Sequence, residues 1–259
     1  MSKAIAYVKE LNEGQSEIHY TLTHVLGMGT AWGLWKMRRD VGRLSWGRFR
    51  HQKKVGITIL CEVDGGKDLV PCTFYNAHEM TIKEFAEAIN AKVARAKAKK
   101  DEIHNAQTGM FNFIPSFIAQ PLMFICSYIA LAVGCNVSCL SLRNDAFGHI
   151  ILTNIGTLGL TRGYAPLCPV MHGMGLICAG KIEKRPICDD EGNIVVADMS
   201  SIVGTGDHRY GDAVIWKPFF KSFRGFIEDP QAYDGEDLVK WPENAHHSEK
   251  PKEEYSKLK

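Results

Sequence analysis

Two apolar arms, residues 171–182 and 194–204, flank the acidic, glycine-bearing stretch Asp189-Asp190-Glu191-Gly192-Asn193, and they constrain the fold more than any other feature. Arms of that length close as a long antiparallel hairpin, which needs further strands or helices to cover its apolar face. The second arm runs into Thr205-Gly206-Asp207-His208-Arg209-Tyr210-Gly211-Asp212-Ala213, and a helical pattern over 212–227 follows, with Ile215, Phe219, Phe220, Phe223 and Phe226 along it. Core packing accounts for that aromatic stripe without a cofactor. Upstream, 147–154 reads as a buried strand that ends Leu152-Thr153-Asn154, and Gly156, Gly159, Gly163, Pro166 and Pro169 make the following loop tight and stiff. A histidine at a strand end reaches into a cleft from a rigid backbone, and a carboxylate four residues on can fix its ring. His208 and Asp212 therefore present a candidate general base and its partner.

The rest of the chain supplies a mixed α/β set of elements. A short helix is expected over 3–11, capped by Ser2 and ended by Asn12 and Gly14, with Ile5, Val8 and Leu11 as its apolar stripe. A second helix is expected over 23–39, with Lys36, Arg38 and Arg39 at its C-terminal end. Gly27-Met28-Gly29 and Gly33 lie inside it, but no strand precedes them, so they read as close-packing residues and not as a dinucleotide loop. Residues 43–50 form a basic stretch with Trp46 and Phe49, expected as an edge strand guarded by its charges, with RNA or phosphate binding as the other reading. Val55, Ile57, Ile59 and Cys61 alternate as a strand, which Asp64-Gly65-Gly66-Lys67 turns into a hairpin with Leu69-Val70-Pro71. Thr81-Ile82-Lys83-Glu84 is a capping box, and Ile82, Phe85, Ala86, Ile89 and Val93 give its helix one apolar face.

Composition narrows the class. With 259 residues and 45% apolar residues the chain can bury one sizeable core, expected as one domain over 1–234 and a charged tail over 235–259. A net charge of +2 gives no nucleic-acid footprint. The cysteines sit mainly in apolar stretches (Cys61, Cys126, Cys178), as free thiols of a reducing compartment do. Cys135 and Cys139, or His246 and His247, lack the further ligands of a zinc site, so no metal is expected. His24, His149 and His172 read as core or loop histidines. The N-terminus has neither a secretory nor a transit pattern, and the final Lys259 displaces a peroxisomal Ser-Lys-Leu.

The order of motifs is more specific than any one of them. An apolar strand ending Thr153-Asn154-Ile155-Gly156, an Ala165-Pro166 loop, a long hairpin, Asp207-His208-Arg209-Tyr210-Gly211-Asp212 and a helix ending Ile227-Glu228-Asp229-Pro230 resemble the catalytic domain of the 2-oxo acid dehydrogenase acyltransferases. The chain is also similar, more distantly, to chloramphenicol acetyltransferase. The likeness is densest over 153–230, extends more weakly back to Val55, and is greatest to free-standing members without lipoyl or subunit-binding domains. It implies an α/β, chloramphenicol-acetyltransferase-like two-layer sandwich with a mixed sheet that forms trimers, and an enzyme that moves an acyl group between coenzyme A and a thiol or other nucleophilic acceptor. It further implies His208 as base, Thr153 as hydroxyl donor to the oxyanion and Asp212 as organiser of the histidine's surroundings, with His208 and Thr153 meeting across a subunit interface. Coenzyme A is then a substrate, with no covalent lipoyl group on this chain, and the compartment is mitochondrial or cytoplasmic. The chain departs from the family pattern at Ala213, where a glycine is expected, and in lacking a counterpart of the family's leading strand and its arginine.

One stretch fits no part of this pattern. From Asn105 to Leu142 there is no Asp, Glu, Lys or Arg, and 111–133 is mostly apolar. Pro115, Gln120 and Pro121 interrupt it as a membrane span. Its expected fate is burial against the sheet or at a subunit interface, with contact to a membrane surface as the other reading. The rival functional reading follows: an acyltransferase-fold scaffold or assembly subunit without catalysis, attached to a partner protein or membrane through 111–133.

Overall fold

The computed structural model describes residues 1–14, 18–63, 68–111, 115–129, 133, 147–167, 173–189 and 191–233. The 64–67 turn, His172, Cys135, Cys139, the 235–259 tail with His246 and His247, and part of the 111–133 segment lie outside them. The elements are, in order, helices α1 (Ser2–Glu13) and α2 (Leu22–Lys36), strands β1 (Gly42–Ser45), β2 (Arg48–His51), β3 (Gly56–Val63) and β4 (Asp68–Tyr75), helices α3 (Ile82–Phe111) and α4 (Ser116–Tyr128), strands β5 (Ile150–Asn154), β6 (Gly175–Cys188) and β7 (Ile194–Gly206), and helix α5 (Ala213–Glu228). β1 and β2 form a separate hairpin, and the other five strands make one sheet in the order β4-β3-β5-β6-β7. β5 runs parallel to both β3 and β6, while the outer pairs β3–β4 and β6–β7 are antiparallel. The sheet is therefore mixed, as the motif order implied.

Side-chain alternation divides the sheet into two faces. Ile57, Ile59, Ile150, Leu152, Ile177 and Ala179 join the buried residues of α2, α3 and α5 in the main core, whereas Ile151, Leu176 and Cys178 face the other way, toward Ile155, Ala165 and Leu167 of the loop after β5. Among the described residues, helices thus cover one face and the loop after β5 straps the other. α2 is buried around nearly its whole circumference, and its glycines admit the neighbours: a Cβ on Gly27 would lie 2.7 Å from the Phe85 ring, and one on Gly33 would lie 2.6 Å from Phe219. Close packing, not a phosphate loop, is their role.

Several local expectations shift by a few residues. Met1, not Ser2, occupies the N-cap of α1, which makes no side-chain cap bond and runs to Glu13. α2 begins with a capping box between Thr21 and His24, whose Nδ1 accepts the Thr21 N–H at 2.9 Å, and it ends at Lys36, short of the basic pair now in a 3-10 turn. α3 starts as its box requires: the Thr81 N–H donates to Glu84 at 2.8 Å, and Thr81 Oγ1 accepts the Glu84 N–H at 3.2 Å. β5 begins at Ile150, because Gly148 takes a left-handed φ of 56° and His149 turns inward.

Of the readings of the 111–133 segment, burial against the sheet does not hold for its described part: α4 exposes Phe117 by 76%, Phe124 by 66% and Ile125 by 55%, which leaves a subunit interface or a membrane surface.

Candidate active site

The β6–β7 hairpin carries the loop of interest. Gly175 pairs with Gly206 at the end of β7, the Asp207 N–H donates to the Met174 carbonyl at 2.8 Å, and the chain then turns, with the Tyr210 N–H bonded to the Asp207 carbonyl and the Gly211 N–H to that of His208. Asp207 accepts a bidentate ion pair from Arg209, at 2.6 and 2.9 Å, which braces the turn from outside. Tyr210 is buried, and its ring meets Phe49 of the β2 strand edge-on at 6.3 Å. The turn is anchored on both sides of His208 while the imidazole itself is exposed and makes no hydrogen bond among the described residues.

Asp212 is the N-cap of α5, its Oδ1 accepting the Val214 N–H at 2.9 Å. The carboxylate is spent on the helix end, where it also meets the positive end of the dipole. His208 and Asp212 nevertheless share one cavity of about 230 Å³ between β6–β7 and α5. Its inner walls are apolar, with Trp216, Phe219, Phe220 and Ile177, and Gly204 and Gly206 keep the β7 side open.

Thr153 lies elsewhere. Its row across the sheet is Thr153–Cys178–Val203, three residues along from the row Ile150–Gly175–Gly206 that leads to His208. That offset is roughly 10 Å along the strands, and the two intervening strand spacings add roughly 10 Å across them. Thr153 also shares the strap face of the sheet with Ile151, whereas the cavity opens on the helix face. The two side chains cannot meet within one chain. Thr153 is half-buried beside Asn154, whose Nδ2 donates to Thr23 Oγ1 at 3.0 Å and whose Oδ1 accepts the Gly156 N–H at 3.0 Å. The strap is held to β6 and β7 by the Lys181 N–H on the Leu160 carbonyl and by Thr205 Oγ1 on the Ala165 carbonyl. It leaves Leu158, Leu160 and Tyr164 exposed.

Two histidines flank β5 as structural groups. His149, at its start, is 1% exposed; Nδ1 accepts the Gly56 N–H at 2.9 Å, and burial, then the Arg43 charge, push its pKa down to about 3. His24, on α2 near its far end, is pushed down to about 4 by burial and by His19. Both are neutral at pH 7 and belong to the fold, as the sequence suggested.

Comparison with known proteins agrees with this arrangement. Residues 140–233 match the family model of the 2-oxoacid dehydrogenases acyltransferase catalytic domain. The fold is that of an acyltransferase catalytic core. The chain is similar, at 15% identity and a TM-score of 0.63, to a probable dihydrolipoamide acetyltransferase of Listeria monocytogenes, over 92% of this chain and 83% of that one. It is similar, at 13% identity and a TM-score of 0.60, to the dihydrolipoamide acetyltransferase of Azotobacter vinelandii, over 90% of this chain and 77% of the other. That structure was used to study the role of a serine, a histidine and an asparagine in the catalytic mechanism. Its histidine and asparagine stand four residues apart, as His208 and Asp212 do. In sequence the chain is 31% identical over 85 residues to the mitochondrial lipoamide acyltransferase component of the branched-chain alpha-keto acid dehydrogenase complex of Caenorhabditis elegans. That match covers 33% of this chain and 18% of the relative, so the chain spans less than a fifth of that protein's length.

Two details were not legible in the motifs: the Asp212 carboxylate caps α5, and Thr153 points to the strap face. The first is decided by where α5 begins, one residue later than its apolar pattern suggests. The second follows from strand parity: Thr153 is odd-numbered with Ile151 on the strap face.

Proposed function

We propose that the protein is a coenzyme A-dependent acyltransferase that moves an acyl group between coenzyme A and a thiol acceptor. His208 takes the proton of the acceptor thiol, and the thiolate attacks the thioester carbonyl of acyl-coenzyme A. The hydroxyl of Thr153 donates to the oxyanion of the tetrahedral intermediate. Collapse breaks the bond to the coenzyme A sulfur, and the leaving thiolate recovers the proton from His208. Asp212, fixed at the helix N-terminus, keeps the turn that carries His208 in place, and the apolar cavity beside them accommodates the acyl group or the pantetheine arm.

The observation that carries this reading is the pairing of an anchored, exposed histidine over an apolar cavity with a threonine that the same chain cannot bring to it. A second copy must supply the missing half, so the protein acts as a homotrimer or an assembly of trimers, with the thinly covered strap face of one copy meeting the His208 edge of the next. The relative from Caenorhabditis elegans is mitochondrial, and that compartment suits the reading. The test is direct: the purified chain is mixed with short-chain and branched acyl-coenzyme A thioesters and dihydrolipoamide, and acyl-dihydrolipoamide and free coenzyme A are measured. Equimolar release of both is expected. Failure of every thioester with dihydrolipoamide and simple thiols would overturn the proposal.

A further inference from the structure

α4 is inverted relative to an ordinary surface helix. Phe117, Ile118, Leu122, Phe124, Ile125, Tyr128 and Ile129 occupy less than half of its circumference at 100° per residue, and all of them are exposed. Its end is continuous with the β1–β2 hairpin, because Tyr128 meets Trp46 at the hairpin tip edge-on, ring centroids 6.1 Å apart. Trp46 is itself 62% exposed, on a left-handed turn with φ of 54°. Arg48 and Arg50 alternate along β2 on one face of the hairpin and are exposed, and exposed Lys53 and Lys54 follow. No Asp or Glu occurs in 42–54 or in 105–142.

We propose that the outward face of α4 and the tip of the β1–β2 hairpin form one patch that binds the surface of a bilayer containing anionic lipid. Phe117, Phe124 and Ile125 enter the boundary of the acyl region, Trp46 and Tyr128 sit at headgroup depth, and Arg48 and Arg50 meet lipid phosphates. In this proposal the helix lies on the surface; among the described residues no helix is long and apolar enough to cross a membrane. The charge pattern points to lipid: Arg48 and Arg50 are exposed on the hairpin whose tip adjoins the apolar face, and neither segment that forms the patch contains an acidic residue.

The experiment is flotation of the full chain with vesicles of phosphatidylcholine alone and of phosphatidylcholine mixed with phosphatidylserine. Binding to the mixed vesicles is expected, weakened by salt. Phe124→Asp and Trp46→Ala each lower the partition at least about tenfold, and Arg48→Gln with Arg50→Gln lowers it about fivefold per charge. Far-UV circular dichroism and melting temperature should not change, since these side chains are exposed. No flotation of the unaltered chain, or flotation indifferent to both Phe124→Asp and Trp46→Ala, would overturn the proposal. So would a fall in sedimenting mass in Phe124→Asp without vesicle binding by the unaltered chain, which would assign the face to a second copy.

Discussion

The two ends of β5 are built differently. At its start, Ile150 is 1% exposed and His149 is locked onto the Gly56 N–H, and the row through Gly175 and Gly206 continues into the braced turn that presents His208 over the apolar cavity. At its far end Thr153 and Asn154 are half-buried, secured to α2 by one side-chain bond, and covered by a strap that leaves Leu158 and Tyr164 in solvent. The first end is complete as packing and open as chemistry; the second is open as packing. Each is what the other lacks, and strand parity and distance forbid them to combine within one chain. On the proposed function, a site divided this way makes catalysis conditional on assembly, with a neighbouring copy closing the reacting groups off from water.

The largest expected effect is at the His208 end. His208→Ala lowers acyl transfer about a hundredfold to ten-thousandfold, the range of a positioned general base, with an unchanged melting temperature because the exposed ring makes no hydrogen bond among the described residues. A small loss would break the comparison by making the cavity incidental. At the other end Thr153→Ala lowers turnover on the order of a hundredfold, with little change in coenzyme A affinity, since its bond matters chiefly in the transition state. A proportional rise in KM at unchanged kcat would make Thr153 a binding residue instead.

Acid tests both ends at once. His149 and His24 have folded-state pKa values of about 3 and about 4, below the unfolded value of 6.5. The unfolded chain therefore binds more protons in that window, and stability present above pH 6.5 is lost as pH falls through it. Between pH 6.5 and 5 the loss is on the order of 2 kcal/mol per histidine, read as a fall in melting temperature that His149→Phe reduces. The smallest effect is at Asp212. Asp212→Ala removes the α5 cap and costs about 1 kcal/mol of stability, while Asp212→Asn retains it. If turnover falls much further in Asp212→Asn than the stability does, the carboxylate acts on His208 as well as on the helix.

Much of this was legible before the structure. The capping box at Thr81, the alternation in Val55, Ile57 and Ile59, and the two long arms around Gly192 name their own elements, because each depends on neighbours in sequence. His208, Thr153 and Asp212 came from motif order. The resemblance also implied that His208 and Thr153 meet across a subunit interface, but the face on which Thr153 points was not legible, since it depends on where β5 begins, and Gly148 and His149 move that start. The Thr21–His24 cap escaped notice because a histidine replaces the usual glutamate or glutamine. For α4 the sequence left open what its apolar side chains meet, because apolar sequence predicts burial without naming the partner, and Phe117, Phe124 and Ile125 are exposed in the single chain.

The central claim is that His208 of one copy works with Thr153 of another, and subunit mixing tests it most directly. His208→Ala and Thr153→Ala proteins, each nearly inactive, are exchanged in equal amounts, and native mass measurement verifies the mixed trimers. In a cyclic trimer about one interface in four then joins an intact His208 to an intact Thr153, so activity should return to about a quarter of the unaltered level. Verified mixed trimers with no activity above the separate variants would contradict the account.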